Sequence, residues 1–226
     1  MDKYLSVITN FGCHYRCPYC IVKKNNLHIP KTTIEGLSCL SDEILRNRAN
    51  IISISGGGDP LYQYEQHKDW YCALFGIADN IFVQYYPGNV CRPEVRPIRI
   101  EMHTSYMTDE SSFPFEKCFR VVYHANTIEQ LSHIHRSGNE KVRVVFVVTE
   151  EFTLQTLMDI ALKVKESDDI DELSFRQLVD GEYKECHYLE EYLRLGHKKL
   201  WWYIEQKDYN LYYAENKTYT RYRDFK

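Results

Sequence analysis

Hydrophobic and polar positions along the chain follow two periods. Runs of β-branched character recur at Tyr4–Thr9, Ile51–Ser55, Ile98–Thr104, Phe119–His124, Val142–Thr149 and Leu173–Leu178, and each reads as a strand. Between them, Thr32–Arg48, Thr127–Ser137 and Thr153–Glu166 carry helical spacing; the last two open on Thr, a good N-cap, and one closes at Gly138. Strands alternating with helices predict βαβ units on a parallel sheet with right-handed crossovers. The expected fold class is therefore α/β, with six strands in an open sheet or a partial (βα)6 barrel.

The alternation also assigns faces. In Ile98-Arg99-Ile100-Glu101-Met102-His103-Thr104, Ile98, Ile100 and Met102 form the apolar face that meets helices, which leaves Arg99, Glu101 and His103 pointing inward. By the same rule Ser53 and Ser55, Arg120 and His124, and Ser174 and Arg176 face inward. A lumen this charged points to a site, because packing alone calls for apolar residues there, and His103, His124 and Arg176 stand at strand C-terminal ends, where α/β sheets bind ligands. The plainer reading, exposed polar residues on a sheet edge, applies to any one of them more readily than to the set.

Two segments break the rhythm. Asp79–Pro97 holds an apolar run, Ile81–Tyr86, followed by Pro87, Gly88, Pro93 and Pro97, and reads as an inserted loop or ribbon. From Tyr183 onward a helix ends near Gly196, and Leu200–Tyr222 reads as a hairpin turning around Lys207–Asn210, with nine of the 19 tyrosines in this segment. The expected organisation is one strand-rich domain, 1–182, and an appendage of helix and Tyr/Trp-rich hairpin, 183–226, packed on it. The hairpin could cover an open sheet edge or dock a partner.

The 226 residues suit one domain, and 44% hydrophobic with 27% charged residues excludes disorder for the bulk. No window reaches the ~18 uninterrupted apolar residues of a membrane span, and Met1-Asp2-Lys3-Tyr4 lacks a signal-peptide layout, so a cytoplasmic protein is expected. A formal charge of −4 argues against duplex-DNA binding, which relies on many Lys and Arg, and leaves nucleic acid without support as a partner.

Of eight cysteines, at 13, 17, 20, 39, 72, 91, 118 and 186, three crowd into Cys13-His14-Tyr15-Arg16-Cys17-Pro18-Tyr19-Cys20, directly after the first strand. In a reducing compartment such a C-x3-C-x2-C array reads as a metal or cluster site, and the scattered five read as small buried hydrophobes. Three thiolates on one loop suit an iron–sulfur cluster with an open iron. Structural zinc is the alternative, but it usually takes four ligands from two C-x2-C pairs; no second pair exists, and His14 is awkwardly adjacent to Cys13.

This array, with Tyr19 just before the third cysteine, resembles the signature of the radical S-adenosylmethionine (radical SAM) enzymes. A second stretch, Ser55-Gly56-Gly57-Gly58-Asp59-Pro60 at the end of the second strand, resembles the family's GGE-P motif, with Asp59 in place of the commoner glutamate. The resemblance implies a small, single-cluster member with the partial-barrel fold. Cys13, Cys17 and Cys20 would hold a [4Fe-4S] cluster whose free iron is chelated by SAM, and reductive cleavage would give methionine and a 5′-deoxyadenosyl radical that takes hydrogen from a substrate. Gly56, Gly57, Gly58 and Asp59 would bind SAM, the glycines offering main-chain carbonyls to its amino group. The Tyr19 main chain would lie near adenine, His124 and Arg176 would meet the SAM ribose or carboxylate, and Arg99, Glu101 and His103 would face the substrate. An electron donor such as flavodoxin or ferredoxin is the implied partner.

Three functions remain open at this level. The first is a radical SAM enzyme acting on a small polar or nucleotide-like molecule, favoured by the charged lumen. The second acts on a peptide or protein, with the aromatic C-terminal segment as docking surface. The third is a non-enzymatic, zinc-stabilised binding module.

Overall fold

The computed structural model describes residues 2–85, 94–107, 112–138, 140–205 and 210–226. The first half runs β1 (Tyr4–Thr9), α1 (Ile21–Lys24), α2 (Leu40–Asn47), β2 (Ile51–Gly56), α3 (Lys68–Asn80), β3 (Phe82–Tyr85) and β4 (Glu94–Pro97). The second half runs β5 (Arg99–Thr104), β6 (Arg120–Ala125), β7 (Lys141–Val148), α4 (Leu154–Lys165), β8 (Glu172–Val179), β9 (Glu185–Cys186), α5 (Glu190–Gly196), β10 (Trp202–Ile204), β11 (Leu211–Ala214) and β12 (Lys217–Tyr219). Among the described residues, no helix is long and apolar enough to cross a membrane.

All six expected strands form, and they lie in parallel in the order β1-β2-β5-β6-β7-β8. One face of each strand feeds a single core: Leu5, Val7, Ile52, Ile54, Met102, Val121, Val144, Phe146 and Phe175 pack with Leu40 and Ile44 of α2, Tyr71 and Leu74 of α3, and Leu157 and Ile160 of α4. Removing this apolar surface from water is the main force holding helices to sheet. The helical layer is thinner than a full set of βα units. Between β6 and β7 the predicted helix is a six-residue 3-10 turn, Ile128–His133, whose Gln130 side chain accepts from the Thr127 N–H at 3.1 Å. Between β5 and β6 the described residues hold only the 3-10 turn Phe115–Lys117, after Pro114. The first predicted helix is likewise shorter, because its leading half is loop with one 3-10 turn at Glu35–Leu37. In contrast, α4 starts where expected, with the Thr156 N–H donating to the Thr153 hydroxyl at 3.1 Å.

The inserted segment is a ribbon where it is described, β3 pairing antiparallel with β4; residues 86–93 lie outside the described residues. The expected hairpin across Lys207–Asn210 does not form, although 207–209 themselves lie outside the described residues. β10 adds in parallel to β8 at one edge of the sheet, and β11 adds in parallel to β1 at the other. A tighter hairpin forms instead between β11 and β12, turning at Glu215 and Asn216, both with positive φ (46° and 62°), which suits the right-handed twist of the flanking strands. The segment from 183 therefore extends both edges of the main sheet.

Only six residues separate Ile204 of β10 from Leu211 of β11, so these ends lie within about 25 Å although they belong to opposite edges. The sheet curls accordingly. Asn25, after α1, donates its side-chain amide to the Asp180 carbonyl beyond β8 at 3.1 Å, and Arg176 of β8 shares electrostatic contact with Tyr212 of β11. The inward side of this curl carries the polar strand positions.

Candidate functional site

Parallel strands bring all their C-terminal ends to one mouth, where the loops after β1 and β2 meet. The Gly57 N–H donates to the Thr9 carbonyl at 2.7 Å, and the Asp59 N–H to the Gly12 carbonyl at 2.9 Å. Gly12 has φ +110°, a conformation open to glycine, and a Cβ there would strike the Tyr62 ring at 2.7 Å. A Cβ on Gly58 would lie 1.9 Å from the Gly12 carbonyl oxygen. Gly58 thus serves close backbone approach between the two motif loops, while a Cβ on Gly57 would meet the Ile29 side chain at 2.4 Å and one on Gly56 the Gly58 carbonyl oxygen at 2.5 Å. Asp59, 4% exposed, fastens them to a third strand: its carboxylate accepts from the Thr104 hydroxyl at 2.7 Å, the Ser105 N–H at 2.6 Å and the Leu61 N–H at 2.9 Å, and lies 3.8 Å from His14 Nε2.

The three loop cysteines are held in mutual electrostatic reach. Cys13 is exposed, and Cys17 and Cys20 are half-buried. Burial first, then the neighbouring Cys13 and Cys20, push the Cys17 thiol up. A turn closes with the Cys20 N–H on the Cys17 carbonyl at 3.1 Å, and the Tyr15 N–H donates to Cys13 Sγ at 3.4 Å. Asn126, just past β6, hydrogen-bonds both the Cys17 thiol and the Tyr19 hydroxyl, so it ties the cysteine loop across the mouth. Among the described residues no three His, Cys, Asp or Glu side chains gather closely enough to hold one metal ion. A single zinc needs ligands converging on one point. A polynuclear cluster presents a different iron to each thiolate, and three cysteines on one loop are the donor chemistry it takes.

The scattered cysteines depart from the expectation that all are buried. Cys118 is buried, and burial pushes its thiol up, whereas Cys39 and Cys72 are exposed and Cys186 is intermediate. Cys91 lies outside the described residues.

Below the mouth, the inward strand positions form a connected polar network. Glu101, 5% exposed, takes Arg120 Nη1 at 2.8 Å on Oε2; on Oε1 it takes His103 Nε2 at 3.0 Å and the Ser53 hydroxyl at 3.3 Å. His103 Nδ1 meets His124 Nε2 at 3.0 Å. Burial raises the Glu101 carboxyl, but the His103 hydrogen bond and the charges of His103, Arg120 and Arg143 outweigh it and hold the group at about 2. Burial, then the charges of His103 and Arg176, pull His124 well below the usual imidazole range, so it is neutral at pH 7. Arg143 pairs with Glu172, which also lies 3.8 Å from Arg120 Nε.

Of the residues singled out in the sequence, Glu101, His103, His124 and Arg176 share this lumen, and Cys13, Cys17, Tyr19, Cys20 and Gly56–Asp59 share the mouth above it. Arg99 stands apart. It begins β5 at the opposite end of the strands, where its guanidinium pairs with Asp2 at 2.8 Å and lies 4.6 Å over the Phe119 ring. Arg143 shares its face of β7 with Val145 and Val147, in a run that reads as almost wholly apolar, and Glu172 precedes the apolar run of β8, so the sequence marks out neither. Asn126 and Tyr222 carry no motif; Tyr222, from beyond β12, donates its hydroxyl to the Gly56 carbonyl at 3.1 Å.

No family model matches the chain, and no curated protein matches it. Among solved structures, that of SuiB from Streptococcus suis bound to S-adenosylmethionine superposes with a TM-score of 0.51 at 13% identity, covering 91% of this chain and 48% of SuiB. SuiB bound to the precursor peptide SuiA gives 0.55 at 14% identity, covering 91% and 49%. The likeness is one of fold. The chain spans about half the length of the SuiB structures it matches.

Proposed function

We propose that this chain is a radical SAM enzyme built on a partial (βα)6 barrel. The observation that carries the reading is the joining of the two motif loops: Gly58 abuts Gly12 directly before Cys13, and the Gly57 and Asp59 N–H groups bond the Thr9 and Gly12 carbonyls, so the residues expected to hold a cluster and those expected to hold SAM form one mouth. The SAM-bound state of SuiB, a protein of like fold, supports the same cofactor here. Cys13, Cys17 and Cys20 would ligate a [4Fe-4S] cluster. When bound, cluster and SAM supply one-electron cleavage to a 5′-deoxyadenosyl radical, with the electron coming from a donor such as flavodoxin or ferredoxin.

The chain's own groups aim and enclose. Carbonyls of Gly56–Gly58 would receive the SAM amino group, Arg176 would pair with its carboxylate, and the Tyr19 backbone would flank adenine. Asp59 acts one step back, with its carboxylate spent on holding the glycine loop to Thr104 and Ser105. Glu101 and His103 would line the lumen on the substrate side, and His124, beside them, would meet the SAM ribose; the three can pass a proton along their hydrogen bonds. Arg99, held by Asp2 at the far end, is a support of the strand base and not a substrate contact.

Two substrate readings each have an observation behind them. The ion-paired lumen favours a small polar or nucleotide-like molecule. The complex of SuiB with a precursor peptide supports a peptide substrate at least as well. Anaerobic reconstitution with iron and sulfide tests the class: a brown protein that forms 5′-deoxyadenosine from SAM on reduction agrees with it, and a colourless, zinc-loaded protein returns the chain to the binding-module reading.

A further inference from the structure

After β12 the chain crosses back to the mouth through a 3-10 turn, Tyr222–Asp224. Phe225 anchors this strap: it is buried with Ile8, Leu27, Ile29 and Ala214, and its carbonyl accepts from the His28 N–H at 2.6 Å. The anchor directs Tyr222 inward, edge-on to Tyr212 at 5.4 Å and to Phe225 at 5.6 Å, with its hydroxyl on the Gly56 carbonyl. Burial, then Cys20, Tyr183 and Tyr212, push the phenol up, so it is a neutral donor at pH 7. Arg176 is also an electrostatic neighbour. Among the described residues Arg176 makes no ion pair, and its buried Nε has no hydrogen-bond partner.

Tyr222 therefore stands among Cys20, Gly56 and Arg176. On the radical SAM reading, on which this inference rests, these are the points given to the cluster, the SAM ammonium and the SAM carboxylate. We propose that Tyr222 is the stopper of the cofactor site: its hydroxyl holds the Gly56 carbonyl, and the turn Tyr222–Asp224, between β12 and the Phe225 anchor, shifts outward when the amino-acid end of SAM takes that place. An ammonium and a phenol compete for the same acceptor, and the charge-assisted hydrogen bond is the stronger. The uncompensated Arg176 adds a second gain on exchange, since a carboxylate satisfies a guanidinium that a phenol cannot neutralise.

The test uses the full chain with its cluster reconstituted, SAM as the probe, and binding rather than turnover as the readout. Calorimetry of Tyr222→Phe should show SAM affinity about 2- to 10-fold tighter than wild type, the range expected for removing one competing hydrogen bond. Hydrogen exchange on the wild-type protein, which needs no variant to fold, should show faster exchange across the turn Tyr222–Asp224 when SAM is added. Unchanged or weaker SAM affinity in Tyr222→Phe, or a strap that SAM leaves unchanged or protects, overturns the stopper while leaving the cofactor assignment intact. If neither protein binds SAM, the cofactor assignment itself fails and the stopper with it.

Discussion

Gly58 meets Gly12 so closely that a single added carbon would sit 1.9 Å from the Gly12 carbonyl oxygen. The backbone fixes the position of a Cβ and the carbonyl is itself backbone, so neither can rotate away. Gly58→Ala must push the two loops apart and break the 2.9 Å bond from the Asp59 N–H to Gly12. The expected result is loss of iron loading after reconstitution together with a melting temperature lowered by several degrees. Gly76→Ala is the control: it lies inside α3 with nothing within 4 Å of the added carbon, and it should stabilise by about 0.5–1 kcal/mol.

Replacing Cys13, Cys17 or Cys20 with Ser should abolish cluster binding, read as iron per chain and the visible absorption of the reconstituted protein. Cys39→Ala, Cys72→Ala, Cys118→Ala and Cys186→Ala should retain full iron, with Cys118→Ala alone lowering the melting temperature because only that thiol is buried among the four. Iron loss in Cys186→Ala would contradict a single three-cysteine cluster.

Acid should expose the Glu101 network. The Glu101 carboxyl is held at about 2 in the folded chain against an ordinary 4.5, so its contribution to stability is complete above about pH 4.5 and disappears as pH falls through about 2. That contribution is about 3 kcal/mol. Chemical denaturation at stepped pH should find a decline over this window in wild type that Glu101→Gln lacks, the variant being weaker already at pH 7. An identical pH dependence in both proteins would show that the carboxyl is not held in this way.

Glu101→Gln and Arg176→Ala should separate stability from ligand binding. The first leaves Arg120 and His103 without their carboxylate and should cost about 3 kcal/mol or more. The second removes a guanidinium without an ion pair among the described residues, so the melting temperature should hold or rise while SAM affinity, measured calorimetrically, falls at least tenfold. Retained SAM affinity in Arg176→Ala would move the carboxylate contact elsewhere.

Asp59→Asn keeps the shape and halves the acceptors. An amide offers one oxygen where the carboxylate takes the Thr104 hydroxyl, the Ser105 N–H and the Leu61 N–H, and its NH2 would face a donor. A loss of about 1–3 kcal/mol is expected in denaturant unfolding, with weaker SAM binding in the surviving folded protein.

Local pattern determined a good deal of this molecule. Two-residue alternation is a property of each strand alone, so the six parallel strands, their buried faces and the inward placement of Glu101, His103, Arg120, His124 and Arg176 were legible before any contact was known. The two motif loops were legible for a related reason: cysteine spacing and a glycine triple are short-range chemistry written in consecutive residues. α3 was legible too in the spacing of Trp70, Tyr71, Leu74, Phe75 and Ala78, though it went unread. What tertiary structure decided is where distant segments meet. β10 and β11 read as one hairpin because they are neighbours in sequence, yet curling of the sheet lets a six-residue connection place them on opposite edges, where each satisfies an unpaired row of backbone groups. Arg99 and Glu101 share a face, but Asp2 at the strand base claims the first and the lumen the second. Tyr222 reaches Gly56 across 166 positions of chain; such a contact comes from the burial of Phe225 and the curvature of the whole sheet, and no window of sequence contains it.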